Sequence, residues 1–556
     1  MRSLFVILLA GAMTLLGSTA MGASATIQGN SRSPQAPSAS GKAQGPSAAR
    51  APKLVRPQGK VAAPIQRPAA AVARARAARP PGGQARSGGA SFRRILGFPP
   101  LVPGGQQAIP ITTNQATIAW MQRVASPADN GFNLPSTLTG GYGEVFSITV
   151  ASTGLTEFFA LLVPAVPSGQ QAPLVVGFHG ANTTYLDITR TTELINEAAA
   201  RNWFFLAPIQ QSAVGNGQVH YGSVQSQLHV EALLELLLRA YPIDLDRIYG
   251  VGFSMGGGAA LSYGARHRNR ELGAFAAIVN HTGTVALSHV YDSEPLIRPE
   301  MELLFGGPPP ASLFEYQRSS VIEMDASGQL LPQGRHMAEN LGAVPTQTWY
   351  ATDDSLTYLQ TQCVALDGFF QGLPGSSHRL LPRLADPQCF TNNLGGHCWA
   401  TLDPVAAYDW LELQSLELDP PFGSVLADRG GQWGLYDVTQ GLPDRFTSFG
   451  FNVDLAQGVL TLSDLENVRT INVDLEEHGF LASSPTSIVV NSADGTAHSI
   501  EVRGLAGRPA AMTRNGLGAL ESCVSVALPT WCYDATTGTL VIEEPFGAPS
   551  NWTIIP

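Results

Sequence analysis

The stretch 246–258, Asp-Arg-Ile-Tyr-Gly-Val-Gly-Phe-Ser-Met-Gly-Gly-Gly, constrains this chain more than any other. Residues 248–251 have the apolar run of a buried strand, and 256–265, rich in Gly and Ala, open a helix. Between them lies Gly252-x-Ser254-x-Gly256. A serine on so abrupt a strand-to-helix turn needs small flanking residues, because a Cβ at either glycine would meet the neighbouring strand or helix. Such a turn lifts the hydroxyl above a sheet edge and sets it at a helix N-terminus, where free N–H groups favour developing negative charge. Ser254 is therefore the candidate nucleophile.

The pattern on either side predicts an α/β architecture. Residues 144–151 and 158–163 read as an antiparallel pair, and 173–180 is a near-continuous apolar run, as in a strand buried on both faces. A helix is expected over 190–201, a strand over 203–208, and a long helix over 223–241 with Leu233, Leu234, Leu237 and Leu238 on one stripe. Strands at 275–279 and 346–351 and a helix over 405–413 complete a mostly parallel sheet covered on both faces. Residues 287–334 break this rhythm and are expected to be an insertion near the mouth of the site. After 419 apolar and polar residues alternate, as in Ile471, Val473 and Leu475, and Asp494-Gly495 is a hairpin signal. The expected domains are a catalytic unit over 96–418 and a small antiparallel β domain over 419–556, which packs beside the first and can be removed without loss of small-substrate turnover.

Residues 1–25 read as a secretory signal, with Arg2, an apolar stretch over 4–16 too short to span a bilayer, and Ala23-Ser24-Ala25 as the cleavage site. Residues 26–95 hold 13 Lys or Arg and no Asp or Glu, with little bulky apolar surface, and are expected to be a disordered tether. Without Arg2 and those 13 cations, 19 basic residues remain against 43 acidic ones. The remainder is therefore net −24, has no lysine, and is unsuited to nucleic acid. No membrane span is expected, and the protein is expected to be secreted or periplasmic. In that setting the five cysteines can pair: Cys523 with Cys532 around a hairpin, and Cys398 with Cys389 or Cys363.

A serine hydroxyl needs a base, and the base an orienting acid, here in the chain order serine, acid, histidine. Asp353 and Asp354 both follow the strand over 346–351. Asp354 is preferred, with Asp353 and the more distant Asp367 as rivals. Gly395-Gly396-His397 precedes the last helix, and paired glycines allow an imidazole to come down onto the serine, so His397 is preferred to His378. The amides of Met255 and Ala181 are the expected oxyanion donors, and His179 is expected to orient the Ala181 loop. His220, His281 and His289 are expected on loops near the cleft in structural roles. No HExxH, zinc-spaced Cys pair, P-loop or dinucleotide turn occurs, so neither metal nor cofactor is expected.

Four motifs carry a resemblance: Val176-Gly177-Phe178-His179-Gly180, the run Tyr241-Pro-Ile-Asp-Leu-Asp-Arg-Ile-Tyr249, Gly252-Phe253-Ser254-Met255-Gly256-Gly257, and Gly396-His397-Cys398-Trp399. Over about 172–412 the chain resembles the secreted α/β-hydrolase esterases, nearest the polyhydroxyalkanoate depolymerases and feruloyl esterases, with prolyl-oligopeptidase-like hydrolases behind them. The resemblance implies a serine carboxylic-ester hydrolase with Ser254 as nucleophile, Asp354 as acid and His397 as base, acting on a small or polymeric ester. It departs at Ala181, where many depolymerases carry cysteine, in the 287–334 insertion, and in the C-terminal domain. A serine peptidase and a catalytically silent surface-binding protein are the alternatives. Oligomeric state is left open.

Overall fold

A computed structural model describes residues 111–112, 117–123, 141–150 and 152–556, apart from 215–216, 392–394, 525–526 and 546. The expected signal and basic tether lie outside the described residues.

The first sheet has ten strands: β1 (Ile111–Thr112), β2 (Thr117–Arg123), β3 (Tyr142–Val150), β4 (Leu155–Val163), β5 (Ala172–Phe178), β6 (Phe204–Pro208), β7 (Ile243–Phe253), β8 (Ala277–His281), β9 (Thr346–Ala351) and β10 (His378–Arg383). They lie in the order β1-β2-β3-β4-β6-β5-β7-β8-β9-β10. Pairing is antiparallel up to β4–β6 and parallel from β6 to β10. The accompanying helices are α1 (Tyr185–Thr191), α2 (Leu194–Ala200), α3 (Val224–Ala240), α4 (Met255–Arg266), α5 (Leu287–Ser293), α6 (Arg298–Phe305), α7 (Leu313–Ser319), α8 (Thr357–Gly372), α9 (Gln388–Thr391) and α10 (Pro404–Leu411).

Successive side chains of a strand point to opposite faces, and β5 shows the result. Leu174, Val176 and Phe178 enter the core beneath α3 and α4, while Val175 enters the core under α1, α2 and α10. A strand buried on both sides must be apolar at every position, which is why 173–178 read as an unbroken run. The sheet order and its two helical layers define the α/β-hydrolase fold. The single helix expected over 190–201 is two, because Thr192 adopts an extended conformation between α1 and α2.

The strands from Phe422–Ala427 to Ser550–Ile555 form two further sheets of seven strands each. Alternate residues fill one interior between them, such as Ile488, Val490 and Trp552 from one sheet and Ile500, Val502 and Ile542 from the other. Most pairs are antiparallel, but Val459–Glu466 runs parallel to Thr486–Ser492 and Val468–Asp474 to His498–Arg503. Asp494-Gly495 does not close a hairpin. It joins Thr486–Ser492 in one sheet to His498–Arg503 in the other. The Asp494 carboxylate accepts from the Asn467 and Thr496 amides, so the local turn forms as its residues dictate, while burial decides which sheet each flank joins. Cys523 and Cys532 form a disulfide, but the short strands Leu520–Glu521 and Thr530–Asp534 beside it run parallel, so this too is not an antiparallel hairpin.

This β domain and the α/β part share one core cluster. Phe422–Ala427 packs on the short helical turn Met337–Leu341, and Asn340 is bonded to the Leu426 amide and to the carbonyls of Ala265 and Leu426. Arg266, the last residue of α4 and 1% exposed, donates from Nε and Nη2 to Asp428, itself 2% exposed, at 2.8–3.1 Å. Arg318 of α7 donates to the same carboxylate at 2.8 Å, and Arg335 makes a two-pronged contact with Glu466. Burial alone would raise the Asp428 pKa, but the charges of Arg266 and Arg318 outweigh it and hold the group below its ordinary value.

Among the buried histidines are His179, His220, His267 and His281, and burial lowers the pKa of each, for His281 to about 3. They fold neutral. The unfolded chain binds protons on them near pH 6.5, so between that pH and the lowered native values the unfolded state holds more protons and stability rises with pH. Stability should therefore be complete above pH 6.5 and fall as the solution is acidified, by up to about 1.4 kcal/mol per pH unit for each histidine. Denaturant melts at successive pH values measure this, and a midpoint that does not move between neutral and mildly acidic pH would contradict it.

Candidate active site

Ser254 joins β7 to α4 at φ 55° and ψ −124°, a conformation rare for non-glycine residues. The turn is tight enough to dictate its neighbours. A Cβ on Gly252 would lie 2.1 Å from the Gly256 carbonyl oxygen, and one on Gly256 would lie 2.2 Å from that of Phe178. Ser254 is 9% exposed and stands at the N-terminus of a twelve-residue helix.

His397 arrives on a loop that also needs glycine. Gly395 and Gly396 have φ of +57° and +88°, and a Cβ on Gly396 would stand 2.7 Å from the Asp353 carbonyl oxygen. The imidazole is thereby laid between the serine and the acid loop after β9. Ser254 Oγ donates to His397 Nε2 at 2.9 Å, and His397 Nδ1 donates to Asp354 Oδ2 at 2.7 Å. Asp354 is buried, and its other oxygen accepts from the Leu356 amide at 2.8 Å, which fixes the carboxylate's orientation.

The rival residues are engaged elsewhere. Asp353 is exposed and accepts from the Ala385 amide at 2.8 Å. His378 donates to Asp367 at 3.1 Å and contacts Thr348 Oγ1 at 3.0 Å, away from the serine. Cys398, beside His397, is bonded to Cys389, and Cys363 is a buried thiol.

The Gly180–Ala181 loop runs beside the serine, with the Cβ position of Gly180 3.6 Å from Ser254 Cβ. Ala181 and Met255 lie in one apolar cluster. The ring nitrogens of His179 lie 2.8 Å from the Gly180 carbonyl oxygen and 3.0 Å from that of Ile209, so the neutral ring sits between this loop and the end of β6 and donates to one of them. His281 is the last residue of β8 and His289 lies within α5, rather than on loops, and His220 precedes α3. All three are buried.

Residues that sequence reading passed over complete the surroundings. Phe253 packs its ring 4.5 Å from His397, 4.9 Å from His281 and 5.2 Å from Trp399, which holds the imidazole from behind. Glu157, buried on β4, accepts from the amides of Gln210 and Gln211 and from His229 Nδ1, fixing the loop after β6. A carboxylate directly before the apolar run 158–163 was the available signal for it. The insertion forms α5, α6 and α7, whose Leu287, Val290, Met301, Phe305 and Tyr316 pack in the cluster that contains Met255. Among the described residues no group of His, Cys, Asp and Glu has the arrangement of a metal site, and no helix is long and apolar enough to cross a membrane.

The fold and this arrangement define an α/β-hydrolase-fold protein with a serine, a histidine and an aspartate in hydrogen-bonded sequence at the end of its parallel sheet. No protein-family model matches the chain, and no curated protein matches it. Solved structures of similar fold include an S-formylglutathione hydrolase from Agrobacterium tumefaciens (18% identity, TM-score 0.36, covering 49% of this chain and 95% of that one). A ferulic acid esterase (15%, 0.32, 46% and 96%) and an acylaminoacyl peptidase from Pyrococcus horikoshii (12%, 0.33, 50% and 42%) are also similar.

Proposed function

We propose that this protein is a secreted serine hydrolase of carboxylic esters that works through an acyl-enzyme. The supporting observation is the hydrogen-bonded chain from Ser254 through His397 to Asp354. Ser254 Oγ attacks the acyl carbon as His397 Nε2 takes its proton. The amides of Met255 and Ala181 stabilise the oxyanion, and Asp354 holds the imidazole in the required tautomer and balances its charge. Collapse expels the alcohol, protonated by His397, and leaves the acyl group on Ser254. Water, deprotonated by His397, then attacks the acyl carbon and releases the acid. Export is part of the reading, supported by the signal-like N-terminus and by the Cys389–Cys398 and Cys523–Cys532 disulfides.

A fluorophosphonate probe should label the purified protein at Ser254, since that chemistry needs an activated serine. A panel of short p-nitrophenyl esters and peptide amides should show turnover of the esters. Turnover confined to the amides would make the protein a peptidase, and absence of both label and turnover would leave it a binding protein.

A further inference from the structure

The insertion reverses the usual polarity of a protein surface. Surface helices ordinarily turn charged and polar residues to water. From 293 to 313, the nine exposed residues are all proline, leucine, glycine or alanine. The four charged residues of the same stretch, Glu294, Arg298, Glu300 and Glu302, are half-buried. Arg298 donates to the Tyr291 and Asp292 carbonyls, and Glu302 accepts from the Tyr291 hydroxyl, so these two are turned back onto the insertion.

The most prominent of the exposed residues are Leu296 and Leu303, at 64% and 59% exposure. The helical turn Pro295–Ile297 runs directly into α6. Leu296, Pro299 and Leu303 follow at steps of three and four residues, which puts them on one side of it. The other side, Met301 and Phe305 with Ile297 and Leu304, packs in the cluster that contains Met255 and Ala181, the expected oxyanion donors. Single exposed leucines are normal, but a charge-free apolar patch marks a docking surface.

The patch also restricts what docks there. A stable interface with a second copy takes about 20–30 residues a side, against nine here, and two chains each net −24 beyond residue 95 repel. Helices that lie on anionic bilayers carry Lys and Arg beside their apolar side, whereas this stretch has three carboxylates and one guanidinium. A neutral, fluid apolar phase accepts protruding leucines and asks for no counter-charge.

We propose that Leu296, Pro299 and Leu303 dock the protein on the surface of a neutral ester droplet of the triacylglycerol class, and that docking holds the Ser254 site at the phase that supplies its substrate. This rests on the ester-hydrolase reading above and names its substrate as an aggregated neutral ester.

Adsorption is measured on emulsified tributyrin with the full-length Ser254→Ala protein, which leaves the droplets intact. This parent should leave the aqueous phase with the droplets, and adding Leu296→Ser/Leu303→Ser should weaken adsorption at least about tenfold. Adding Leu413→Ser/Leu517→Ser instead, at two leucines even more exposed elsewhere, should leave adsorption as in the parent. With Ser254 restored, Leu296→Ser/Leu303→Ser should lower the rate on emulsified tributyrin at least about tenfold and keep kcat/KM for dissolved p-nitrophenyl acetate, which also shows that the variant folds. A parent that stays in the aqueous phase, adsorption that survives the change at 296 and 303, or equal losses on dissolved and emulsified ester would overturn the docking surface and leave the esterase standing. So would equal binding to phosphatidylserine vesicles, or a dimer in sedimentation that the same change dissolves. Adsorption with no turnover of dissolved esters and no labelling of Ser254 would overturn the ester-hydrolase reading and the substrate named with it.

Discussion

Ser254→Ala is expected to lower kcat/KM for short p-nitrophenyl esters by about a million-fold, with the unfolding midpoint little changed. Alanine fits the space of Ser254, and the hydroxyl's bond in this structure is to His397. What is lost is the nucleophile, and the residual rate comes from binding and the oxyanion donors alone. The acid should separate by position. Asp354→Asn removes the charge facing His397 Nδ1 and misorients the ring's protons, and should cost about ten-thousand-fold. Asp353→Asn keeps an oxygen to accept from the Ala385 amide and should change turnover by no more than a few-fold. Hydrolysis that survives Ser254→Ala would end the covalent reading, and equal losses at the two aspartates would end the assignment of the acid.

Asp428→Ala is expected to destabilise the whole protein by about 3–5 kcal/mol, and removal of 419–556 to leave no soluble catalytic unit. The expectation that the β domain is dispensable does not fit its contacts. Asp428 is the counter-charge for the buried Arg266, which terminates the helix that begins after Ser254, and for Arg318 of the insertion. Without it the buried Arg266 guanidinium keeps a bond to Gln227 but loses the carboxylate it is bonded to. Net stabilities of about 5–15 kcal/mol leave little room for such a loss. The double change Arg266→Met/Asp428→Leu removes both charges and should recover most of it. Denaturant unfolding measures both variants. A shift below about 1 kcal/mol for Asp428→Ala, or a soluble, active 1–418 fragment, would show the two parts to be independent.

Local sequence by itself determined the conformations that depend on few residues. The strand, glycine-flanked serine and helix over 248–265 were legible because tight φ/ψ values and close backbone approach exclude most side chains. The unbroken apolar run of β5 was legible because two-sided burial tolerates nothing else. The glycines before His397 were legible for the same reason as those around Ser254. Tertiary structure alone decided which partners meet. Sequence position favoured Asp354 over Asp353 and Asp367 without excluding either, and the packing of the loop after β9 against Gly396 is what turns Asp354 to an imidazole 43 residues away. The same holds for the choice of Cys389 over Cys363, for the two sheets on either side of Asp494-Gly495, and for the burial of Asp428 against Arg266 across 162 residues. Backbone preference acts within a few residues, whereas long-range pairing is selected by the burial and charge balance of the completed fold.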